Sequence, residues 1–301
     1  MTIKPYLQLV RLPNLFTAAA DPLAGWLVAT GTLAYPSRWV PLVAASVLIY
    51  AGGIVLNDVF DIEVDRRERP NRPLPSGRVP FRLAAWFGGA GLAVGPLLAA
   101  LSGSATSALV AGLLVLCVLA YNAGMKRTLF GPVVMGSCRS LNLLLGFSQL
   151  PDLGGRHAWV VAGCYGLFVV GVTVISRSEV ETGRSGGIAA GMNLQWVALA
   201  IFWVSSGSLA YQTHGSQAYD YAHIGGSVVW LAVLAAVLRA DVAAVRQPTP
   251  ARTQRAVKTG VLALVWLDVS LVAGVQGVPP ALVIAALWVP AFLLGRWLYS
   301  T

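Results

Sequence analysis

A dense group of charged side chains follows the second apolar segment of the chain. Asp58, Asp61 and Asp65 are spaced by three and four residues, so on one helix their carboxylates would share a face. Carboxylates on one face repel one another unless a cation joins them, and Mg²⁺ commonly uses one or two carboxylates together with water and phosphate oxygens. Arginines follow at once, and guanidinium groups make paired hydrogen bonds to phosphate oxygens. This order of side chains predicts a Mg²⁺ ion bridged to a diphosphate, with the following arginines beside it: Arg66, Arg67, Arg69 and Arg72.

A simpler explanation exists for the same charges. A charged loop between two membrane spans is ordinary, because its basic residues fix the orientation of the neighbouring helices. The helical spacing of the three aspartates favours the metal site over a plain solvated loop.

A second acidic loop lies at about 177–186. It carries Glu179 and Glu181 between Arg177 and Arg184. Like the first loop, it follows one apolar segment and precedes another, and it lies four segments further along the chain. This spacing indicates a repeat of four helices, and repeats in membrane folds commonly place the functional site where they meet. A solvated turn is the alternative for this loop.

The composition excludes a soluble protein. The chain has 301 residues, of which 56% are hydrophobic and only 11% are charged, and its mean hydropathy is +0.70. Soluble domains carry about 25% charged residues. The sequence therefore predicts an all-α polytopic membrane protein that contacts the lipid bilayer along most of its length.

The apolar segments predict nine or ten transmembrane helices, at roughly 20 residues per span. The last two segments are separated only by a short Gly-Val-Pro-Pro junction, so they could form two spans or one span and a shorter interfacial piece. The predicted spans are 13–31, 38–57, 81–101, 105–121, 131–150, 157–176, 187–206, 222–241, 258–275 and 281–299.

The positions of the basic residues predict the orientation. Most of the 21 basic residues fall on the side that holds the loops at 58–80 and 177–186. Positive charge marks the cytoplasmic side of membrane proteins, so both acidic loops are predicted to face the cytoplasm, and we expect a bacterial inner membrane. The net charge of +9 follows from this topology. It does not indicate a nucleic-acid partner.

At this point the chain resembles a known family. The run from Asn57 to Asp65 (Asn-Asp-x-x-Asp-x-x-x-Asp) and the run from Asn71 to Gly77 (Asn-Arg-Pro-Leu-Pro-Ser-Gly) resemble the first Asp-rich motif of the UbiA superfamily of membrane prenyltransferases. An Arg-x-x-Asn entry to the first span, a basic loop after the fourth span and the second acidic loop extend the resemblance across the chain.

The resemblance implies Mg²⁺-dependent transfer of a prenyl group. The donor would be an allylic isoprenyl diphosphate, and the acceptor would be an aromatic or other lipophilic nucleophile. The fold would be a UbiA-like bundle around a central cavity that opens to lipid. We expect a single domain over 1–301, with a first repeat at about 1–128, a second at about 129–245 and C-terminal helices at about 256–301.

The same resemblance and the local chemistry assign roles to individual side chains. The expected metal ligands are Asp58, Asp61, Asp65, Glu179 and Glu181. The expected catalytic residues are Asp58, Asp61, Lys126 and Arg139. The expected substrate-binding residues are Arg11, Asn14, Asn57, Arg66, Arg72, Tyr121, Arg127, Asn142 and Arg177.

The second motif departs from the family pattern. Residues 178–184 resemble the Asp-Ile-Glu-Thr-Asp-Arg run of menaquinone-type relatives, with Glu179 at the first aspartate and Gly183 at the second. One carboxylate is therefore lost, and Glu179 and Glu181 point to different faces of a helix. A second Mg²⁺ is predicted to be held less well here.

Arg139 and Asn142 lie one turn apart inside the fifth predicted span. An arginine at the centre of a membrane helix costs about 2.5–3.5 kcal/mol on insertion scales, so it must face the interior and have a partner. The partner could be the substrate diphosphate, a motif acid or a structural counter-ion. Asp21 and Asp268 are further acids inside predicted spans.

Two other functions remain open from the sequence. The weakened second motif would suit a protein that binds or carries a prenyl lipid without catalysis, inside a membrane assembly for metabolite export. The fifth span and the Ser-Arg-x-Glu loop resemble the UbiA-like protein of the Ebo gene cluster in this respect. The intramembrane charges would also permit a transporter. Transporter sites usually lie near the membrane midplane, however, whereas the aspartates here end a span.

Overall fold

The computed structural model describes residues 3–178 and 185–299. Within these ranges the regular secondary structure is helical and there is no strand. Eleven α-helices follow one another: α1 (Lys4–Leu9), α2 (Leu12–Thr30), α3 (Pro36–Phe60), α4 (Ile62–Glu68), α5 (Phe81–Ala100), α6 (Ala105–Asn122), α7 (Gly131–Phe147), α8 (Gly155–Arg177), α9 (Ser185–Arg246), α10 (Pro250–Gln276) and α11 (Val278–Tyr299).

The helices match the predicted spans closely. Helix α9 bends at Gly215, where φ is 68° and ψ is −167°, so it forms two arms. Side-chain hydrogen bonds between the arms show that they run antiparallel, since Trp203 bonds Ser227 and Trp230 bonds the Leu199 carbonyl. With these arms counted separately, the described part of the chain has ten long helical segments, the larger of the two numbers that the sequence predicts.

Eight of these segments are long and apolar enough to cross a membrane. Helix α7 has 17 residues and α2 has 19, and both carry buried polar side chains. The chain is a multi-pass membrane protein. Its final segments α10 and α11 are separate helices joined at Gly277, whose φ of 86° suits a residue without a side chain. The last two predicted segments are therefore two separate helices, and each is long and apolar enough to cross a membrane.

Two predicted boundaries differ most from the structure. The ninth span is predicted to begin at 258, whereas α10 begins at Pro250. The sequence predicts that the seventh span ends at 206, but the first arm of α9 continues to Gly215. The apolar stretch marks only the part that a bilayer would cover, whereas the helix continues through Ser, Tyr, Gln and Thr until a glycine permits the left-handed conformation.

Helix α2 lies at the centre of the bundle. It contacts α3, α7, α10 and α11. Its middle is almost entirely buried, from Thr17 to Val28. The helix therefore links the N-terminal half of the bundle to the C-terminal helices, and Arg11, the residue before its first turn, contacts Asp58 of the charged motif.

Glycines allow the helices to approach closely where they cross. A side chain at Gly52 of α3 would place its Cβ atom 2.7 Å from the Gly88 carbonyl of α5. Similar glycine pairs join α2 to α7, α7 to α8, α8 to α9 and α9 to α10. Since lipid gives no hydrophobic drive for helix association, close backbone packing of small residues stabilises such crossings.

We expect Gly52→Ala to destabilise the protein by about 1–3 kcal/mol, because the added methyl forces α3 and α5 apart. Gly89→Ala is the matched control, since an added Cβ there would meet nothing within 4 Å. Thermal unfolding in detergent measures both variants. Equal melting temperatures for the two would contradict the role of the Gly52 crossing.

Candidate active site

The three aspartates lie at the junction of α3 and α4. Asp58 belongs to the last turn of α3, Asp61 joins the two helices with φ of −95° and ψ of 9°, and Asp65 belongs to α4. The helical path is interrupted at Asp61, because aspartate is a poor helix former and this carboxylate is held by Lys126 of another segment. Backbone hydrogen bonds from Asp61 to the Asn57 carbonyl and from Asp65 to the Asp61 carbonyl keep the helical register.

Asp58 and Asp65 face one set of arginines. Both carboxylates are buried, with 5% and 4% of the residue exposed. Arg72 Nη1 lies 2.7 Å from Asp65 Oδ2 and 3.5 Å from Asp58 Oδ1. Arg11 reaches Asp58 from the start of α2, at 3.4 Å. A positive charge therefore already lies between two buried carboxylates of the motif.

Asp61 faces a second set of basic residues. Its Oδ2 lies 2.6 Å from Lys126 Nζ, and its Oδ1 lies 3.5 Å from Arg127 Nη2. Lys126 also donates to the Asn57 side-chain oxygen at 2.9 Å. Arg177, at the end of α8, donates to the Lys126 carbonyl and so fixes the loop between α6 and α7. The structure thus brings five of the predicted site residues together on this side.

Arg11 adopts an unusual backbone conformation. Its φ of 48° and ψ of 54° lie in the left-handed region, which non-glycine residues rarely occupy. It joins α1 to α2, and its guanidinium contacts Asp58. Such strain persists only where the surrounding structure holds it, and it often marks a functional position.

A cleft opens beside the buried aspartates. Its volume is about 740 Å³, and it lies between α1 and the segment that follows α4. The residues that line it include Gln8, Arg11, Asp58, Glu68, Arg69, Asn71, Arg72, Ser76 and Arg78. Arginines outnumber carboxylates in this wall, so the cleft attracts anions.

The structure does not bring Arg139 and Asn142 to the aspartate motif. Arg139 Nη2 lies 2.6 Å from Asp21 Oδ1 in the buried interior, and it donates to the Thr17 carbonyl. Asn142 donates to Asp21 Oδ2 at 2.7 Å and accepts from Ser46. Of the partners that the sequence leaves open for Arg139, these contacts favour a structural counter-ion.

The remaining predicted residues occupy varied positions. Asn14 lies in the first turn of α2, where its carbonyl accepts from Thr17. Tyr121 lies in the last turn of α6, within electrostatic range of Arg177 and Asp61. Arg66 pairs with exposed Glu63 at 2.7 Å, so it holds a surface ion pair rather than a motif acid.

Five acidic residues are predicted to hold the metal ion. Glu179 and Glu181 lie outside the described residues. Within 3–178 and 185–299, no group of three or more acidic, histidine or cysteine side chains is arranged to hold a metal ion. The assignment of Asp58, Asp61 and Asp65 as metal ligands therefore stays a prediction.

Comparisons with known proteins give the family. The family model of the UbiA prenyltransferase family matches residues 22–258. A digeranylgeranylglyceryl phosphate synthase of Methanopyrus kandleri is 32% identical over 278 residues, which cover 86% of this chain and 96% of that protein. The synthase of Sulfolobus acidocaldarius is 45% identical over 87 residues, or 29% of this chain and 31% of that protein.

Several of the curated relatives match over only part of their length. The match covers 31% of the Sulfolobus acidocaldarius protein and 51% of its Metallosphaera sedula counterpart. Likeness to these proteins is strongest in a segment rather than uniform along the chain.

Solved structures share the fold. A structure described as giving insight into digeranylgeranylglyceryl phosphate synthase in membranes superposes with a TM-score of 0.64 at 19% identity, covering 91% of this chain and 98% of that one. The apo structure of a UbiA homolog from Aeropyrum pernix K1 gives 0.59 at 18% identity, covering 85% and 96%. The aspartate motif, the helical bundle and these matches agree, and the chain belongs to the UbiA prenyltransferase family.

Proposed function

We propose that this protein transfers a prenyl group from an isoprenyl diphosphate to an acceptor in the membrane, and that the reaction depends on Mg²⁺. The observation that carries the proposal is the aspartate row of Asp58, Asp61 and Asp65, two of them buried, set between two groups of basic side chains at one end of an apolar bundle. Acids for a metal and cations for an oxyanion are both needed to activate a diphosphate leaving group.

The donor set suits Mg²⁺. The three carboxylates offer hard oxygen ligands, and a guanidinium nitrogen already lies between two of them. Asp58, Asp61 and Asp65 would hold the ion, with Glu179 and Glu181 as further candidates from the second loop. When bound, Mg²⁺ would neutralise charge on the diphosphate.

The residues of the chain supply the remaining steps. Lys126, Arg127 and Arg72 would bind the diphosphate oxygens and stabilise the negative charge that builds as the allylic C–O bond breaks. The bonding electrons leave with the diphosphate. The acceptor then donates a lone pair to the allylic carbon and loses its proton to a carboxylate or to the released diphosphate. The apolar helices would exclude water that would otherwise trap the cation.

We propose a glycerol phosphate lipid as the acceptor class. The support is the name shared by the curated relatives, digeranylgeranylglyceryl phosphate synthase, which describes a glyceryl phosphate carrying two geranylgeranyl groups. The reacting group would be a free hydroxyl of the glycerol. This is narrower than the lipophilic nucleophile that the sequence alone suggests.

We further propose that the site faces the cytoplasm, on the basis of the basic residues around it. The relatives named above are archaeal, so they give no support to the expectation of a bacterial membrane.

Purified protein in nanodiscs, given labelled geranylgeranyl diphosphate and a geranylgeranylglyceryl phosphate acceptor, should form a labelled ether lipid. Removing divalent metal with EDTA should abolish turnover, and added Mg²⁺ should restore it, because the leaving diphosphate loses its counter-charge. Scintillation counting of the separated lipid measures the loss of turnover in EDTA and its recovery with Mg²⁺.

Turnover that persists in EDTA would contradict the metal requirement. Binding of the diphosphate with no product from any acceptor would favour the second candidate, a prenyl-lipid binding or carrier protein. That candidate has the loss of a carboxylate at Gly183 in its favour.

A further inference from the structure

The arginine-lined cleft beside the aspartate row has two cations that the diphosphate chemistry leaves unused. We propose that Arg69 and Arg78 bind the phosphate monoester of the acceptor, which makes this cleft the subsite that selects a phosphorylated acceptor. The inference rests on the proposed prenyl transfer, and it assigns the cleft to the second substrate.

The charges in the cleft divide into two groups. Arg11 and Arg72 are already engaged with the buried carboxylates of Asp58 and Asp65. Arg69 and Arg78 also line the cleft, and among residues 3–178 and 185–299 neither has a carboxylate within ion-pair distance. These two guanidiniums are therefore the cleft arginines whose charge no described carboxylate neutralises.

Arg78 is held in place for this role. Its Nε donates to the Ser76 hydroxyl at 3.0 Å, and its Nη2 donates to the Asn71 carbonyl. Ser76 in turn donates to the Arg72 carbonyl at 2.7 Å. A guanidinium fixed by neutral partners keeps its full charge and loses little conformational freedom on binding a phosphate.

The cleft and the pair of basic residues Lys126 and Arg127 lie beside different aspartates of the motif. Lys126 and Arg127 pair with Asp61, whereas the cleft is lined by Asp58. A reaction between two phosphorylated substrates brings two anions together, and each needs its own cations to offset the repulsion. Lys126 and Arg127 would provide these cations for the diphosphate, and Arg69 and Arg78 would provide them for the acceptor.

The size of glycerol phosphate fits the position of the reacting group. Its hydroxyls lie within a few bonds of the phosphorus, so a phosphate held by Arg69 and Arg78 would keep them inside the cleft. Asp58 and Arg11 form part of the same wall. The acceptor hydroxyl would then approach the aspartate row, where the diphosphate leaves.

The test is steady-state kinetics with the double variant Arg69→Gln, Arg78→Gln. We expect its KM for geranylgeranylglyceryl phosphate to rise by about 10- to 100-fold, since hydrogen bonds to a charged group are lost. Its KM for geranylgeranyl diphosphate should not change. Arg82→Gln is the matched control, because Arg82 is an exposed arginine close in sequence that does not line the cleft.

Kinetics with geranylgeranylglycerol, an acceptor that lacks the phosphate, provide a second test. The wild type should use it poorly, and the double variant should use it equally poorly, because the phosphate contact is absent in both. An unchanged KM for the phosphorylated acceptor would overturn the proposal. So would an equal rise in the Arg82 control, or a rise only in the KM for the diphosphate.

Calorimetric titration with geranylgeranylglyceryl phosphate measures acceptor binding without catalysis, in the wild type and in the double variant. If the wild type turns over no acceptor, the proposed function fails, yet the cleft still predicts about tenfold or greater loss of binding in the double variant. Vesicles of phosphatidylglycerol serve as the comparison lipid, whose phosphate is a diester. Equal affinities of the wild type and the double variant for geranylgeranylglyceryl phosphate would overturn the inference.

Discussion

Asp58→Asn together with Asp61→Asn should reduce kcat/KM for prenyl transfer by about a thousandfold or more. Each substitution keeps the shape of the side chain but removes a negative oxygen ligand, and losing even one group that stabilises developing charge commonly costs about 10²–10³ in rate. Measured rates with labelled geranylgeranyl diphosphate test this directly. Excess Mg²⁺ should recover little of the lost activity.

Glu63→Gln provides the matched control for the aspartate variants. Glu63 is an exposed acid in the first turn of α4, close in sequence to both aspartates, and it pairs with Arg66 at 2.7 Å. Its variant should keep nearly full activity. An active Asp58→Asn, Asp61→Asn protein would contradict the metal assignment, provided that both variants melt near the wild-type temperature.

Arg139→Met should destabilise the protein by about 3–5 kcal/mol, because it leaves the buried Asp21 carboxylate without its cation. Asp21 and Asp268 are both fully buried, so neither can recover solvation from water. Thermal unfolding in detergent measures the loss.

The double variant Arg139→Met, Asp21→Leu separates a structural role from a catalytic one. Removing both charges should regain most of the lost stability, since a well-packed apolar pair can replace a buried ion pair. If Arg139 is structural, this variant keeps the wild-type KM for the diphosphate. A restored melting temperature with a strongly raised KM would show instead that Arg139 binds substrate.

The sequence predicts most of the fold because lipid leaves few alternatives. Long apolar runs must become helices, since a bilayer cannot satisfy free backbone groups. The ends of the helices are harder to predict. The stretch from 207 to Gly215 is polar enough to resemble a loop, yet its helical hydrogen bonds continue until the glycine ends them.

The sequence likewise predicts some features of the candidate site and not others. The helical spacing of the aspartates and the arginines after them can be read from neighbours in the chain. The pairing of Lys126 with Asp61 and Asn57 joins residues more than 60 positions apart, and only the family resemblance points to it. The Asp21–Arg139 pair depends on how α2 crosses α7, which no local pattern specifies.

The sequence predicts the roles of the cleft residues less well than those of the aspartates. The sequence predicts Arg69 only as one of four arginines beside the diphosphate, and it gives Arg78 no role beyond that of a basic residue in a cytoplasmic loop. Their significance comes from the turn after α4, which brings them to one wall with Arg11 of a different helix. The excess of arginines over acidic residues in this segment indicates an affinity for anions. It does not show which arginines remain without a carboxylate partner.

The most direct test of the central claim is mass spectrometry of the lipid formed from geranylgeranyl diphosphate and geranylgeranylglyceryl phosphate. We expect the wild-type protein with Mg²⁺ to produce a species heavier than the acceptor by one geranylgeranyl group, and the Asp58→Asn, Asp61→Asn protein to produce about a thousandfold less of it in the same time. The same amount of product from both proteins, or no product from the wild type while it binds the diphosphate, would contradict the proposal that this aspartate row activates a prenyl diphosphate.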